Sequence, residues 1–222
     1  MPPLTTDARG EAKAQLLLRL RAKGFRDLRL LRALESIPRE NFVSPAHGEL
    51  ALRDVAIPLP CGQTMEAPSG LAQMLTLLAP QSDHRILEIG AGSGYSAGVL
   101  SLIGREVVSL ECFERLAQEA RARLDHLKIV NVDLIWGDGF DVSPSYGLFD
   151  RILIHGALEA PPPPGLLGAL GQGGLLVAIR KREGASAGEL FRYSRAANDS
   201  IEAAAFGPLR AQTLLHGLFR RD

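Results

Sequence analysis

Apolar residues recur on two different periods along the chain, and the change of period divides it. Residues 6–23, rich in Ala, Leu, Arg and Lys with Thr or Asp near the start and Gly24 beyond the end, read as a helix. "DLRLLRALESI" (27–37) repeats Leu at helical spacing and stops before Pro38, so a second helix is expected. Residues 44–68, broken by five Pro or Gly at 45, 58, 60, 62 and 68, read as an ordered loop, and "SGLAQMLTLLA" (69–79) as a third helix ended by Pro80. From residue 85 short apolar runs alternate with amphipathic ones. Strands are expected at 85–90, 106–111, 132–138, 149–157 and 175–181, with helices at 95–104 and 113–127 and a short helix and turn over 164–174. Two more polar segments, 189–196 and 209–217, would add edge strands. Strand–helix units with short connections imply a mostly parallel seven-stranded sheet with helices on both faces. The expected organisation is a helical N-terminal extension and loop (1–80) packed on an α/β core (81–222).

Composition narrows the function classes. The 222 residues are 46% hydrophobic and 23% charged, ordinary for a globular protein. Basic and acidic residues balance at 25 each, so no global field argues for nucleic acid or membrane as partner. Cys61 and Cys112 lack the spacing for a disulfide scaffold or zinc site, and the five His (47, 84, 126, 155, 216) show no metal-ligand spacing. The start of the chain has no apolar signal core, and a reduced cytoplasmic compartment is expected, with a monomer as the assembly.

The chemistry concentrates in "LEIGAGSGYS" (87–96), which joins the first expected strand to its helix. Glycines allow a tight turn and close approach to a ligand. A dinucleotide fingerprint needs a small residue at position 95, but Tyr95 stands there and the third glycine is Gly94. An NAD-dependent dehydrogenase is disfavoured on that ground. Glu111 ends the second strand 23 residues after Glu88, where a carboxylate can accept ribose hydroxyls, and "GDG" (137–139) places Asp138 after the third. Three acids at the ends of successive strands mark the edge where open α/β sheets bind ligands.

The G-x-G-x-G loop preceded by Glu88 resembles the first motif of class I S-adenosyl-L-methionine (SAM) methyltransferases, a Rossmann-like fold. The resemblance implies cofactor contacts from Glu88, Gly90, Ala91, Gly92, Ser93, Gly94, Glu111, Asp138 and Gly139, with Asp138 near the adenine ring. "SIPRENFV" (36–43), "DVAIPLPCGQTMEAPSGLAQML" (54–75), "ILEIGAGSGYSAGVLS" (86–101), "GDG", "FDRILI" and "GQGGLLVAI" follow the order of the protein-L-isoaspartate O-methyltransferases. That likeness spans about residues 12–215. It implies methyl transfer from SAM to the free carboxylate of isoaspartyl residues in damaged proteins, leaving S-adenosyl-L-homocysteine. A carboxylate is already ionised at neutral pH, so no strong general base is required.

The chain departs from the family at the substrate loop. Where the family usually reads Gln-Thr-Ile-Ser, this chain has Gln63-Thr64-Met65-Glu66; Ser69 replaces a common histidine, and His155 stands where a small residue or threonine is frequent. Two unit charges about 4 Å apart at an effective dielectric near 20 repel by roughly 4 kcal/mol. An unpaired Glu66 would therefore oppose a substrate carboxylate. Several readings stand open. Glu66 points to solvent or pairs with an arginine such as Arg39, or serves with Thr64 and His155 as base or anchor for an amine or hydroxyl acceptor. A further reading is a SAM- or peptide-binding protein without turnover.

Overall fold

The computed structural model describes residues 6–181 and 187–220. Helices α1 (Thr6–Ala22) and α2 (Leu28–Ser36) form where the leucine spacing places them. The Asp27 side chain caps α2 by accepting the Arg29 and Leu30 amides, which that first turn leaves unpaired. The segment that follows is a loop built of 3₁₀ turns at 39–42, 45–47 and 50–52 and a two-residue ladder, β1 (Ile57–Pro58) with β2 (Thr64–Met65).

Arg39 holds this loop in shape. Its side chain is 3% exposed and donates to the carbonyls of Ala51, Arg53, Val55 and Glu66 at 2.9–3.2 Å. One planar guanidinium thus satisfies four carbonyls that burial would otherwise leave costly. Asp54 accepts the Ser69 amide and pairs with Lys23, tying the loop to α1 and to α3 (Pro68–Leu78). Pro68 occupies the first turn of α3, where a missing N–H costs nothing.

The main sheet comprises β3 (Arg85–Ile89), β4 (Glu106–Glu111), β5 (Val132–Trp136), β6 (Phe149–Leu158), β7 (Leu170–Arg180), β8 (Gly188–Arg195) and β9 (Ile201–Leu209). Its order is β5-β4-β3-β6-β7-β8-β9; the first five strands run parallel, β8 pairs antiparallel with β7, and β9 antiparallel with β8. The order reverses at β3, whose neighbours β4 and β6 lead away on opposite sides, and such a switch point opens a crevice.

Successive residues of each strand enter different cores. Ile86, Val107 and Val177 pack with α1–α3, α4 (Tyr95–Ser101) and α5 (Glu114–His126). Leu87, Val108 and Leu176 face α6 (Pro164–Gly168) and the loop around Phe140.

Three expected boundaries move by three residues or more. The helix expected over 95–104 ends at Ser101, and Gly104 turns the chain where a Cβ would stand 2.5 Å from Ile86. Residues 170–174 belong to β7, because Leu170 pairs with Phe149 across a bulge. The largest correction concerns the edge. The last strand is Ile201–Leu209, whereas 209–217 is an extended tail touching the sheet through one bridge, Thr213 with Ala157. A tight turn at Ala196–Ser200, with Asp199 at φ 64°, sends the chain straight back along β8. Asn198 and Asp199 carried that signal.

The tail then straps the C-terminal ends of the strands. The Ala157 amide donates to Gln212 and the Leu214 amide to Ala157; further on, Phe219 stacks on Phe113 at 4.6 Å.

Candidate active site

The crevice at the switch point is a cavity of ≈ 640 Å³ bounded by the glycine loop, the 59–71 segment, the end of β4, β6 and the tail at 208–215. That volume suits a cofactor with part of a substrate beside it. Gly90, Ala91, Gly92 and Ser93 form its floor. The Gly90 and Ala91 amides are bound to the Leu110 carbonyl, which fastens the loop to β4.

Glu111 lines the same wall. Its Oε2 accepts the Gly92 amide at 2.7 Å and its Oε1 accepts the Phe113 amide at 3.0 Å. Burial raises its carboxyl above the ordinary range, and the backbone amides offset only part of that. Oε1 also accepts the Cys112 thiol at 3.7 Å, so it is Oε2 that keeps a second lone pair and can still accept a hydroxyl from the cavity side. Burial and the nearby Glu111 push the Cys112 thiol up to about 12, leaving it protonated and inert.

Other residues expected at the cofactor stand behind this lining. Gly94 has φ +85°, and a Cβ there would lie 3.0 Å from that of Ala120, so it brings α4 against α5. Gly139 packs on Ile89, where a Cβ would stand 2.1 Å from Cγ2. Asp138 accepts the Phe140 and Gly217 amides at 2.9 and 2.8 Å, anchoring the tail beside the cavity. Among the described residues, none of these three forms part of the cavity wall.

Glu66 and His155 meet in the centre of the site. His155 Nδ1 donates to Glu66 Oε1 at 2.9 Å, and Nε2 donates to Glu88 Oε1 at 3.0 Å, with Ser96 Oγ at 3.1 Å. Ser109, the register partner of Glu88 on β4, donates to Glu88 Oε2 at 2.5 Å. A ring nitrogen faces a carboxylate on each side, and only the imidazolium has a proton for both. Burial alone would lower the His155 pKa, but the two carboxylates override it and raise it to about 10. Burial also disfavours the Glu66 charge, yet the imidazolium holds that carboxyl below its ordinary value.

Both alternatives for the Glu66 side chain at solvent or on Arg39 are corrected by this contact. Arg39 binds the Glu66 backbone carbonyl instead. A break in the β6–β7 register between Leu153 and Ala157, with Gly156 at φ +82°, aims His155 inward. Thr64 lines the cavity from β2. The arrangement is a row rather than a cage: among the described residues no group of three or more His, Cys, Asp or Glu could hold a metal ion. Sequence reasoning missed Ser96, Ser109 and the whole tail wall. The serines look like ordinary helix and strand residues, and the tail was assigned to a strand.

A five-stranded parallel core with an antiparallel edge, a glycine loop at the switch point and an acid closing the next strand is the architecture of class I methyltransferases. Comparison with known proteins narrows that class. Residues 11–211 match the family described as Protein-L-isoaspartate(D-aspartate) O-methyltransferase (PCMT). A protein-L-isoaspartate O-methyltransferase of Rhodopseudomonas palustris strain BisB5 is 46% identical over 166 residues, 75% of this chain and 76% of the relative. A Nitrobacter winogradskyi relative of the same name is 43% identical over 178 residues, 80% and 81% of the two chains. Among solved structures, a protein-L-isoaspartate O-methyltransferase superposes with TM-score 0.82 at 24% identity, over 93% of this chain and 67% of that one. A Plasmodium falciparum structure of the same description, in complex with S-adenosyl-L-homocysteine, gives 0.77 at 19%, over 91% and 98%. The chain belongs to the protein-L-isoaspartate O-methyltransferase family.

Proposed function

We propose that this protein is a SAM-dependent methyltransferase that esterifies the free carboxylate of isoaspartyl residues in proteins. The observation that carries the reading is the switch-point cavity: its floor is the glycine loop, Glu111 closes one wall, and it lies in a chain of this family. The residues present fit the cofactor. Backbone at 90–93 approaches without side-chain obstruction, and Glu111 offers an acceptor for a ribose. Bound SAM supplies an electrophilic methyl group on a sulfonium; the substrate oxygen forms the O–CH₃ bond as the C–S bond breaks and its electron pair returns to sulfur.

The protein groups position and neutralise. No proton has to be moved from a carboxylate nucleophile, so orientation and charge balance dominate the barrier. Thr64 and the backbone of the Arg39-stapled loop border the acceptor side, and His155 offsets the Glu66 charge that would otherwise repel the nucleophile. In this reading residues 1–80 carry the acceptor loop and 81–222 hold the cofactor. We place the enzyme in the cytoplasm as a monomer; among the described residues no helix is long and apolar enough to cross a membrane.

The test is methyl transfer from labelled SAM to a peptide containing L-isoaspartate, with the same peptide containing L-aspartate as control. Base-labile label in the first peptide alone is expected. Saturable SAM binding without transfer to the isoaspartyl peptide would overturn the reading.

A further inference from the structure

After β9 the chain turns back and crosses the whole crevice. On the acceptor side Leu209 Cδ1 lies 3.5 Å from where a Cβ on Gly70 of α3 would stand, and the Gln212 side chain donates to the Gly62 carbonyl at 3.0 Å. That bond joins the tail to the turn between β1 and β2. In the middle the tail takes the place beside β6 that β3 leaves: β3 pairs with β6 as far as Ile154, and Thr213 pairs with Ala157 beyond it. Leu214 there covers the glycine loop, since a Cβ on Gly90 would stand 3.6 Å from its Cδ1 and one on Gly156 3.1 Å from its Cα. At the far end the Gly217 amide donates to Asp138, the Phe219 amide donates to the Cys112 carbonyl and the Phe219 carbonyl accepts the Glu114 amide. Residues 90–93, Glu111 and 208–215 all line one cavity, so a ligand on the glycine loop lies between that loop and the tail.

The walls of this cavity are not equally fixed. The glycine loop is bound to β4 through the Gly90, Ala91 and Gly92 amides, and the acceptor loop is stapled by the buried Arg39. From Arg210 to Arg220, by contrast, the tail is held by two isolated bridges and single bonds, with no continuous ladder. Leu215, Leu218 and Phe219 stay exposed, so the tail buries little apolar surface of its own. Segments of this kind open at a small part of the cost of global unfolding. We propose that residues 209–219 form a lid over the cofactor site, which lifts to admit SAM and to release S-adenosyl-L-homocysteine. The Gln212–Gly62 bond is its latch on the acceptor side, and the Phe219–Phe113 stack its clip beside the end of β4. The inference rests on the cofactor reading above. Both fastenings join protein to protein, so loosening either raises the open fraction of the free and the loaded enzyme alike. Entry and exit then quicken together.

The experiment measures how fast S-adenosyl-L-homocysteine enters and leaves the full chain. Stopped-flow fluorescence gives the association rate, and a chase of labelled ligand with unlabelled excess gives the dissociation rate. Trp136 is the chain's single tryptophan and stands at the far end of the tail. Its indole donates at 3.0 Å to the Cys112 carbonyl that also accepts the Phe219 amide, and Arg220 lies 5.5 Å over its ring. Gln212→Ala and Phe219→Ala act on exposed side chains at opposite ends of the tail. Each should raise both rates together by about two- to tenfold, the worth of one hydrogen bond or ring contact, with Kd kept within about threefold. Unchanged rates in either variant would overturn the lid. Faster dissociation with unaltered association would overturn it as well, because a wall that only touches the ligand changes Kd. Failure of the unaltered protein to bind S-adenosyl-L-homocysteine would overturn the cofactor reading, and the lid with it.

Discussion

Replacing His155 by glutamine removes a charge that two carboxylates share. In the intact protein the His155 pKa rises from 6.5 to about 10. At about 1.36 kcal/mol per unit, that preference for the imidazolium corresponds to roughly 5 kcal/mol of folding stability. Removing one partner of a buried ion pair costs about 3–5 kcal/mol, so the two magnitudes agree. At about 2–4 °C per kcal/mol for a chain of this size, the variant should melt roughly 6–20 °C lower near pH 6.

The sign of the pH dependence follows from the raised value. The contribution is complete below 6.5, the unfolded value, and is lost as pH rises to about 10. The gap in Tm between the protein and His155→Gln should therefore narrow steadily across that window. Glu66, held low, contributes above the ordinary carboxylate pKa and loses its share only in acid, so the gap should be widest near pH 5–6. Thermal unfolding followed by circular dichroism from pH 5 to 10 measures both curves. Glu66→Gln in the His155→Gln background should cost little or restore stability, because it removes a carboxylate left without its cation. A constant Tm gap from pH 6.5 to 10, or single effects that add within about 0.5 kcal/mol in a double-mutant cycle, would refute the imidazolium bridge.

Glu111→Gln keeps one acceptor oxygen but loses the charge, and should weaken S-adenosyl-L-homocysteine binding about 10–100-fold in calorimetry, since bonds to a charged acceptor contribute about 1.5–3 kcal/mol. Gly139→Ala places a methyl 2.1 Å from Ile89 Cγ2 in rigid surroundings, so the denaturation midpoint should fall by the equivalent of about 1–3 kcal/mol. Asp138→Ala releases the Gly217 amide; hydrogen exchange at Gly217 and Leu214 should accelerate while β3 and β4 amides keep their rates.

Much of the fold was legible in the sequence because its signals are local. The apolar period of 85–90 and 106–111, the glycines at 90–94 and the prolines at 38, 68 and 80 each act within a few residues. They specify strand, turn or helix boundary without reference to the rest of the chain. Glu111 at the cavity wall follows from the direction of its strand end, whereas Glu88, expected at the cofactor, is fully buried outside the cavity lining and bound to His155 and Ser109. The edge strand was misplaced because β9 is mostly exposed and so carries little apolar pattern. Its position is set by the Asn198–Asp199 turn and by pairing with β8.

What the sequence could not decide is the meaning of Glu66. Read alone it is an acid where a family serine is usual, and His155, 89 positions later, is a second departure with no visible link to the first. Folding the sheet brings them to 2.9 Å, with Glu88 on the far side of the ring. A charge is stabilising or ruinous according to what stands within a few ångströms of it, and that distance is a property of the strand register and the β6 bulge. The sequence determined that a glycine loop and its acids would line one edge of a sheet. Only the tertiary structure decided that two departures from the family form one neutral pair.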